Sequence, residues 1–147
     1  MTTMTKKAPF LLLACFFMLA LSSCTVLEDA SKLQSYDFGS DQIPSLTSVV
    51  GERKVSGVEV GTKNGVQHKT YTYETSSQVD DMDDYYGELK SVGFLVTKDS
   101  EVAFNRGSVE LGLNSADAGQ MVLVTLSWES GKITVQVAKG EGEVTPF

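Results

Sequence analysis

Apolar and polar residues alternate on both sides of the dipeptide Asn64-Gly65. This dipeptide is typical of a two-residue type I′ turn, which joins two antiparallel strands and fixes how their residues pair. The expected pairs are Ser56–Tyr73, Val58–Tyr71, Glu59–Thr70, Val60–Lys69 and Gly61–His68. In this register the valines and tyrosines share one face and the polar residues share the other. The pattern predicts a β-hairpin that is buried on one side.

A second hairpin is predicted around Ser130-Gly131. The expected pairs are Trp128–Ile133, Leu126–Val135, Val124–Val137 and Glu129–Lys132. Three apolar cross-strand pairs on one face make this register difficult to shift. Two further strands are indicated by the alternation of Val109, Leu111 and Leu113 and by the apolar run at 94–97.

One amphipathic helix is expected between the hairpins. Ser and Thr residues at 75–77 can cap its first turn, and Gly93 can end it. An apolar stripe recurs at helical spacing, formed by Val79, Met82, Tyr86 and Leu89. The predicted fold class is therefore α+β: a small antiparallel sheet in the order β-β-α-β-β-β-β, with the helix packed on one face.

The start of the chain has the composition of an export signal. Lys6 and Lys7 precede the uncharged apolar run at 10–21, and small residues follow it. At 1.5 Å per residue the run would cover about 18 Å, which is too short to cross a hydrocarbon core of about 30 Å. Residues 1–23 are therefore predicted to be a signal peptide rather than part of the folded protein.

The sequence Leu21-Ser22-Ser23-Cys24 resembles the lipobox of bacterial lipoprotein precursors. The resemblance implies that cleavage follows Ser23 and that Cys24 carries a diacylglyceryl group as the first mature residue. Two acyl chains are enough for stable membrane anchoring. The alternative is an ordinary signal peptide with a cysteine near its cleavage site. Because Cys15 would be removed and Cys24 modified, the mature chain would have no free thiol for redox, protease or zinc chemistry.

The resemblance also implies a location in the cell envelope. This would be the outer membrane in a Gram-negative organism, since Thr25 is not the aspartate associated with inner-membrane retention. In a Gram-positive organism it would be the outer face of the plasma membrane.

Residues 24–42 are predicted to be a lipidated linker, and residues 43–147 a single folded domain. As a flexible coil the linker would span about 23 Å. The alternative for this segment is packing on the domain.

Composition and charge exclude some classes of function. The chain has 147 residues, is 41% apolar and 21% charged, and carries a formal charge of −7. Removing Lys6 and Lys7 with the signal peptide makes the mature charge −9. Nucleic acid is not an expected partner, because phosphate binding needs clustered Lys and Arg. An acidic body is also repelled by anionic lipid, which favours a domain that stands off the membrane.

The candidate chemical groups are few. Acidic residues cluster in the predicted first helical turns at 80, 81, 83 and 84, but helical spacing turns consecutive side chains apart, and no calcium loop is present. His68, the single histidine, lies on the polar face of the first hairpin without a recognisable nucleophile motif. Tyr85 lies off the predicted apolar stripe and is the aromatic residue expected at the surface. No catalytic set, metal site or cofactor is predicted; His68 and Tyr85 are possible surface-binding residues.

These observations favour a non-enzymatic, lipid-anchored protein that presents its domain to an envelope or extracellular macromolecule. One alternative is an extracytoplasmic module that binds a small ligand for a transporter or sensor, for which a deep apolar cleft is expected. Another is an exported hydrolase that uses His68, which should lose activity when His68 is replaced by alanine.

Overall fold

Both turn dipeptides form the expected turns in a computed structural model of the chain, which describes residue 27 and residues 29–98, 102–103 and 105–145. Their backbones have positive φ at Asn64 (53°), Gly65 (77°), Ser130 (52°) and Gly131 (77°), as a type I′ turn requires. The described elements are β1 (Ser35–Phe38), β2 (Asp41–Pro44), α1 (Leu46–Val50), β3 (Lys54–Lys63), β4 (Val66–Glu74), α2 (Gln78–Ser91), β5 (Leu95–Lys98), β6 (Val102–Ala103), β7 (Arg106–Asn114), β8 (Gln120–Glu129) and β9 (Lys132–Glu141).

One antiparallel sheet contains strands β3 to β9 in the spatial order β3-β4-β9-β8-β7-β5, with β6 also paired to β7. The predicted register of the second hairpin is confirmed, and so is that of the first hairpin near its turn. The expected pairing of Ser56 with Tyr73 is wrong, because a bulge at Ser56 leaves Val55 opposite Tyr73. The extra residue gives β3 a local irregularity, as β-bulges do.

The α+β class is confirmed: α2 packs on the face of the sheet that carries Val124, Leu126 and Val135, each fully buried. The expected element order was incomplete. In the described part of the chain, a short hairpin and α1 precede β3, and five strands rather than four follow α2.

The buried side of α2 differs from the predicted stripe. Of the predicted stripe, Leu89 is buried and Met82 and Tyr86 pack partly buried against the core, whereas Val79 is 45% exposed. Asp81 and Tyr85, which were not in the stripe, are also buried. Asp81 can face inward because Arg53 holds both of its carboxylate oxygens, with Nε–Oδ2 2.7 Å and Nη2–Oδ1 2.8 Å. The Thr75 hydroxyl donates a third hydrogen bond to Oδ2, at 2.6 Å. Burial raises the pKa of Asp81, but these donors outweigh that effect and lower it.

The segment before residue 43 belongs to the folded body. Strands β1 and β2 pair as a hairpin, and Tyr36 and Phe38 are buried in the core. The Tyr36 hydroxyl lies 2.7 Å from that of Tyr73 and accepts a hydrogen bond from the Leu46 amide at 3.2 Å. The expectation of a linker over residues 24–42 is therefore wrong for its described residues, 27 and 29–42, and the alternative of a packed N-terminal segment holds there. The two-residue turn Gly39-Ser40 between these strands is a hairpin signal that the sequence analysis missed, because each flanking strand is only four residues long.

A buried lysine joins this hairpin to the far end of the sheet. The Nζ atom of Lys139 lies 2.7 Å from Asp41 Oδ2 and 2.6 Å from Asp117 Oδ2, and it donates to the Phe38 carbonyl at 3.1 Å. The Lys139 side chain is 7% exposed. We call Lys139, Asp41 and Asp117 the lysine cluster. Burial raises the pKa of Asp41, but bonds from Lys139, the Ser115 hydroxyl and the Ala116 amide together lower it.

Candidate functional site

The face of the sheet opposite α2 is polar over most of its length and apolar at one end, and we call it the outer face. Its end nearest the Ser130-Gly131 turn carries a charged row, in which each residue pairs with the next across adjacent strands. The charged row is Lys54, Glu74, Lys132, Glu129 and Arg106. Positive and negative side chains alternate along it at the inter-strand spacing of about 4.8 Å. Oppositely charged side chains in directly paired positions attract each other and stabilise the pairing of adjacent strands.

The best-defined contact in the charged row joins Lys54 Nζ to Glu74 Oε2 at 2.8 Å. This hydrogen bond lowers the pKa of Glu74, and the charge of Lys132 on the other side acts in the same direction. Because positive and negative residues alternate, each carboxylate of the charged row has a cationic residue on both sides. The row has no strong attraction for a ligand of one charge sign.

Two rows of hydrogen-bonding side chains, uncharged except for Glu110, follow the charged row along the strands. The first, which we call the hydroxyl row, is Thr72, Thr134, Ser127 and Ser108. The second pairs Thr70, Gln136, Thr125 and Glu110 in the same strand order. These side chains are mostly half-buried by one another. Each hydroxyl can donate one hydrogen bond and accept two, so the rows present an ordered set of polar contacts.

A shallow, open groove of about 880 Å³ runs between the charged row and the hydroxyl row. Its lining residues are Ala103, Arg106, Gly107, Ser108, Ser127, Trp128, Glu129, Ser130, Lys132 and Thr134. The Trp128 ring points to the buried side, where Gly107 leaves room for it, because a Cβ at Gly107 would lie 2.5 Å from Trp128 Cζ2. The groove therefore offers hydroxyl groups and paired charges rather than an aromatic platform.

The opposite end of the outer face is apolar and partly covered by the residues after β9. Val144 is buried and packs over Gly112, where a Cβ would lie 2.7 Å from Val144 Cγ2. The Asn114 side chain holds both backbone groups of Val144, donating to its carbonyl at 3.2 Å and accepting from its amide at 2.7 Å. These two hydrogen bonds and the pairing of β9 with β8 hold the glycine-rich segment from Gly140 against the sheet.

His68 lies on the outer face as expected, and it is half-buried. Its Nε2 atom is 4.0 Å from Oε1 of Glu59, whose side chain is 78% exposed. The ring lies over Gly61, where a Cβ would be 3.1 Å from His68 Cε1. The imidazole ring occupies the space that a side chain at position 61 would need, which explains the glycine opposite the histidine. The Glu59 carboxylate lies beside the ring.

Tyr85 is not at the surface, so the expectation that it binds a partner there was wrong. Its side chain is fully buried, and its hydroxyl donates to the Pro44 carbonyl at 2.8 Å. Burial raises the pKa of Tyr85 well above its usual value. Tyr85 faces the core because it follows the buried Asp81 by four residues, and Leu89 follows by four more, so all three lie on the same side of α2.

The predicted lipidation and cleavage residues, Cys24 and Ser23, lie outside the described residues. Within the described part of the chain, no helix is long and apolar enough to cross a membrane. The same residues contain no group of three or more His, Cys, Asp or Glu side chains arranged to hold a metal ion.

The charged row and the lysine cluster are the features that sequence reasoning missed. Only the Glu129–Lys132 pair of the charged row followed from a turn; the rest requires the pairing of β4 with β9 and of β7 with β8. Lys139 did have a local signal, since it continues the buried positions Ile133, Val135 and Val137 at a spacing of two. A lysine in such a position indicates a buried partner of opposite charge.

Comparison with models of known protein families finds no family that matches the chain, and comparison with curated proteins finds no match.

Proposed function

We propose that this chain is a lipid-anchored protein of the bacterial cell envelope that acts without catalysis, by presenting the outer face of its sheet to an envelope or extracellular macromolecule. The lipobox-like residues that end in Cys24 support the anchor. The observation that carries the interaction role is the open outer face itself, with its charged row and hydroxyl row side by side. The helices lie on the other side of the sheet, so a large partner can reach these rows.

The shape of the groove favours a macromolecule over a small ligand. Small-ligand sites are deep, are mostly apolar and enclose most of the ligand. The groove beside the hydroxyl row is open, and seven of its ten lining residues are polar or charged. Tyr71, Tyr73 and Trp128 are buried in the core, so their rings cannot stack on a sugar at the groove. Recognition would therefore rest on hydrogen bonds spread over several strands.

Fractionation of cells that express the full chain tests the anchor. The wild-type protein should sediment with membranes and incorporate labelled fatty acid, whereas Cys24→Ala should incorporate none and leave the membrane fraction. Cys15→Ala is the matched control, because that cysteine lies in the predicted signal peptide, and it should behave as wild type. Equal labelling of wild type and Cys24→Ala would refute the anchor.

Site-specific photo-crosslinking tests the interaction surface. A crosslinking residue at Ser127, in the hydroxyl row, should give a discrete adduct in intact cells. The control position is Asp83, which is exposed on α2 at the other side of the sheet, and it should give no such adduct. Adducts of equal yield from both positions, or none from Ser127, would contradict the assignment of the outer face.

A further inference from the structure

The folded body begins very close to the proposed lipid anchor. Leu27 is half-buried and packs against the core cluster, and Ala30 is buried within that cluster. The Ser31 amide donates to the Leu27 carbonyl at 3.2 Å, so this first turn is hydrogen-bonded. The segment expected to be a spacer is therefore part of the body from residue 27 onward, apart from residue 28, which is not described.

The chain between Leu27 and the anchor is short. Only residues 25 and 26 separate Leu27 from Cys24. Three consecutive Cα steps of 3.8 Å cannot span more than about 11 Å. This limit is about half of the roughly 23 Å expected if the eighteen residues from 25 to 42 formed a flexible linker. If Cys24 carries lipid, the surface around Leu27 cannot be far from the headgroups.

That surface is a corner of the domain at the start of β3. Leu27 lines a small surface depression together with Ser31, Glu52, Arg53, Lys54 and Val55, and we call these residues the tether corner. Arg53 is paired with Asp81 and Lys54 with Glu74, so the local charges are largely compensated. The corner lies at the charged-row end of the sheet, because Lys54 is the first member of that row.

We propose that the tether corner faces the lipid headgroups and that the sheet stands away from the membrane, with the Asn64-Gly65 turn at its far end. This inference rests on the proposed lipidation of Cys24. From Lys54 to Lys63, β3 rises by about 30 Å at 3.3 Å per residue. The mature charge of −9 opposes a flat arrangement on an anionic surface, whereas the compensated tether corner tolerates contact.

Fluorescence energy transfer to the membrane tests this arrangement on the full lipidated chain. The vesicles contain phosphatidylcholine, phosphatidylglycerol and a headgroup-labelled acceptor lipid. Donor dyes are placed at Glu52→Cys, in the tether corner, or at Lys63→Cys, at the far end of β3; both positions are exposed. A lipidated chain cleaved before Cys24 has no other free thiol. Transfer from position 52 should be several times more efficient than from position 63.

A spacer variant is the matched control. Insertion of ten Gly and Ser residues after Thr25 adds a coil of about 17 Å and should reduce transfer from position 52 towards the value at position 63. Equal transfer from both positions without the insertion, in protein that floats with the vesicles, would overturn the orientation and leave the anchor intact. If the protein with wild-type Cys24 does not float with the vesicles, the lipid anchor is refuted and the orientation with it.

Discussion

Lys139→Met removes the ammonium group that Asp41, Asp117 and the Phe38 carbonyl share, and it keeps an unbranched side chain of similar reach. The change leaves two neighbouring carboxylates without their cation. Breaking a fully buried ion pair from one side costs about 3–5 kcal/mol. Asp41 is 11% exposed but Asp117 is 45% exposed, so water can solvate part of the freed charge. We expect a loss of about 2–3 kcal/mol in the free energy of unfolding.

Urea denaturation followed by circular dichroism measures this loss, and a thermal melt should show a Tm lower by about 10 °C for a domain of this size. The matched control is Lys54→Met, which also removes a lysine from a strand and from one carboxylate. Its side chain is 74% exposed, so its midpoint should stay close to that of wild type. If Lys139→Met is destabilised no more than Lys54→Met, the lysine cluster does not hold the N-terminal hairpin to the sheet.

The same variant has a predictable pH dependence. The folded-state pKa of Asp41 is lowered, so its contribution is present above the unfolded value of about 3.9 and is lost as the pH falls through the folded value. In Lys139→Met, burial still raises the pKa of Asp41 while its main donor is gone. Acid unfolding of the variant should therefore begin at a higher pH than that of wild type. Superimposable acid transitions would contradict this assignment.

Two further substitutions test the packing of α2 and of the groove, each with a control in urea denaturation. Asp81→Asn should lower the free energy of unfolding by about 2–4 kcal/mol, because it removes the buried carboxylate that pairs with Arg53. Asp83→Asn, at an exposed position, should change it little. Equal urea midpoints for the two variants would contradict the inward orientation of Asp81. Gly107→Ala should lower the free energy of unfolding by about 1–3 kcal/mol, because its Cβ would collide with Trp128. Gly87→Ala, at a position in α2 with open space around it, should raise the free energy of unfolding by up to about 1 kcal/mol. A neutral Gly107→Ala would mean that the ring is not held against that strand.

Features set by neighbouring residues were predictable from the sequence. Asn64-Gly65 and Ser130-Gly131 fix both turns, and alternation fixes which side β8 and β9 bury. In β3 the alternation overstates burial, because Val60 is 63% exposed. The turn does not encode the bulge at Ser56, which reverses the alternation in the residues before it, so that Val55 rather than Ser56 lies opposite Tyr73. These local signals explain the agreement on the fold class.

Features set by distant residues were not predictable. The predicted buried side of α2 is rotated from the observed one because Asp81 was treated as a charge that faces solvent. Its partner Arg53 lies 28 positions earlier in the chain, so no local pattern revealed the pair. Tyr85 was misplaced for the same reason. The outer face followed only in part, because the pairing of β4 with β9 joins strands that are far apart in the sequence. His68 could be placed near its hairpin turn, but the charged row beside the groove could not.

The anchor is the central claim, and the mass of the mature N-terminal peptide tests it most directly. Protein purified from membranes of a bacterial host, cleaved with protease and analysed by mass spectrometry, should give a first peptide that begins at Cys24 and carries a diacylglyceryl thioether. A peptide that begins elsewhere, or one that begins at Cys24 with an unmodified thiol, would contradict the account.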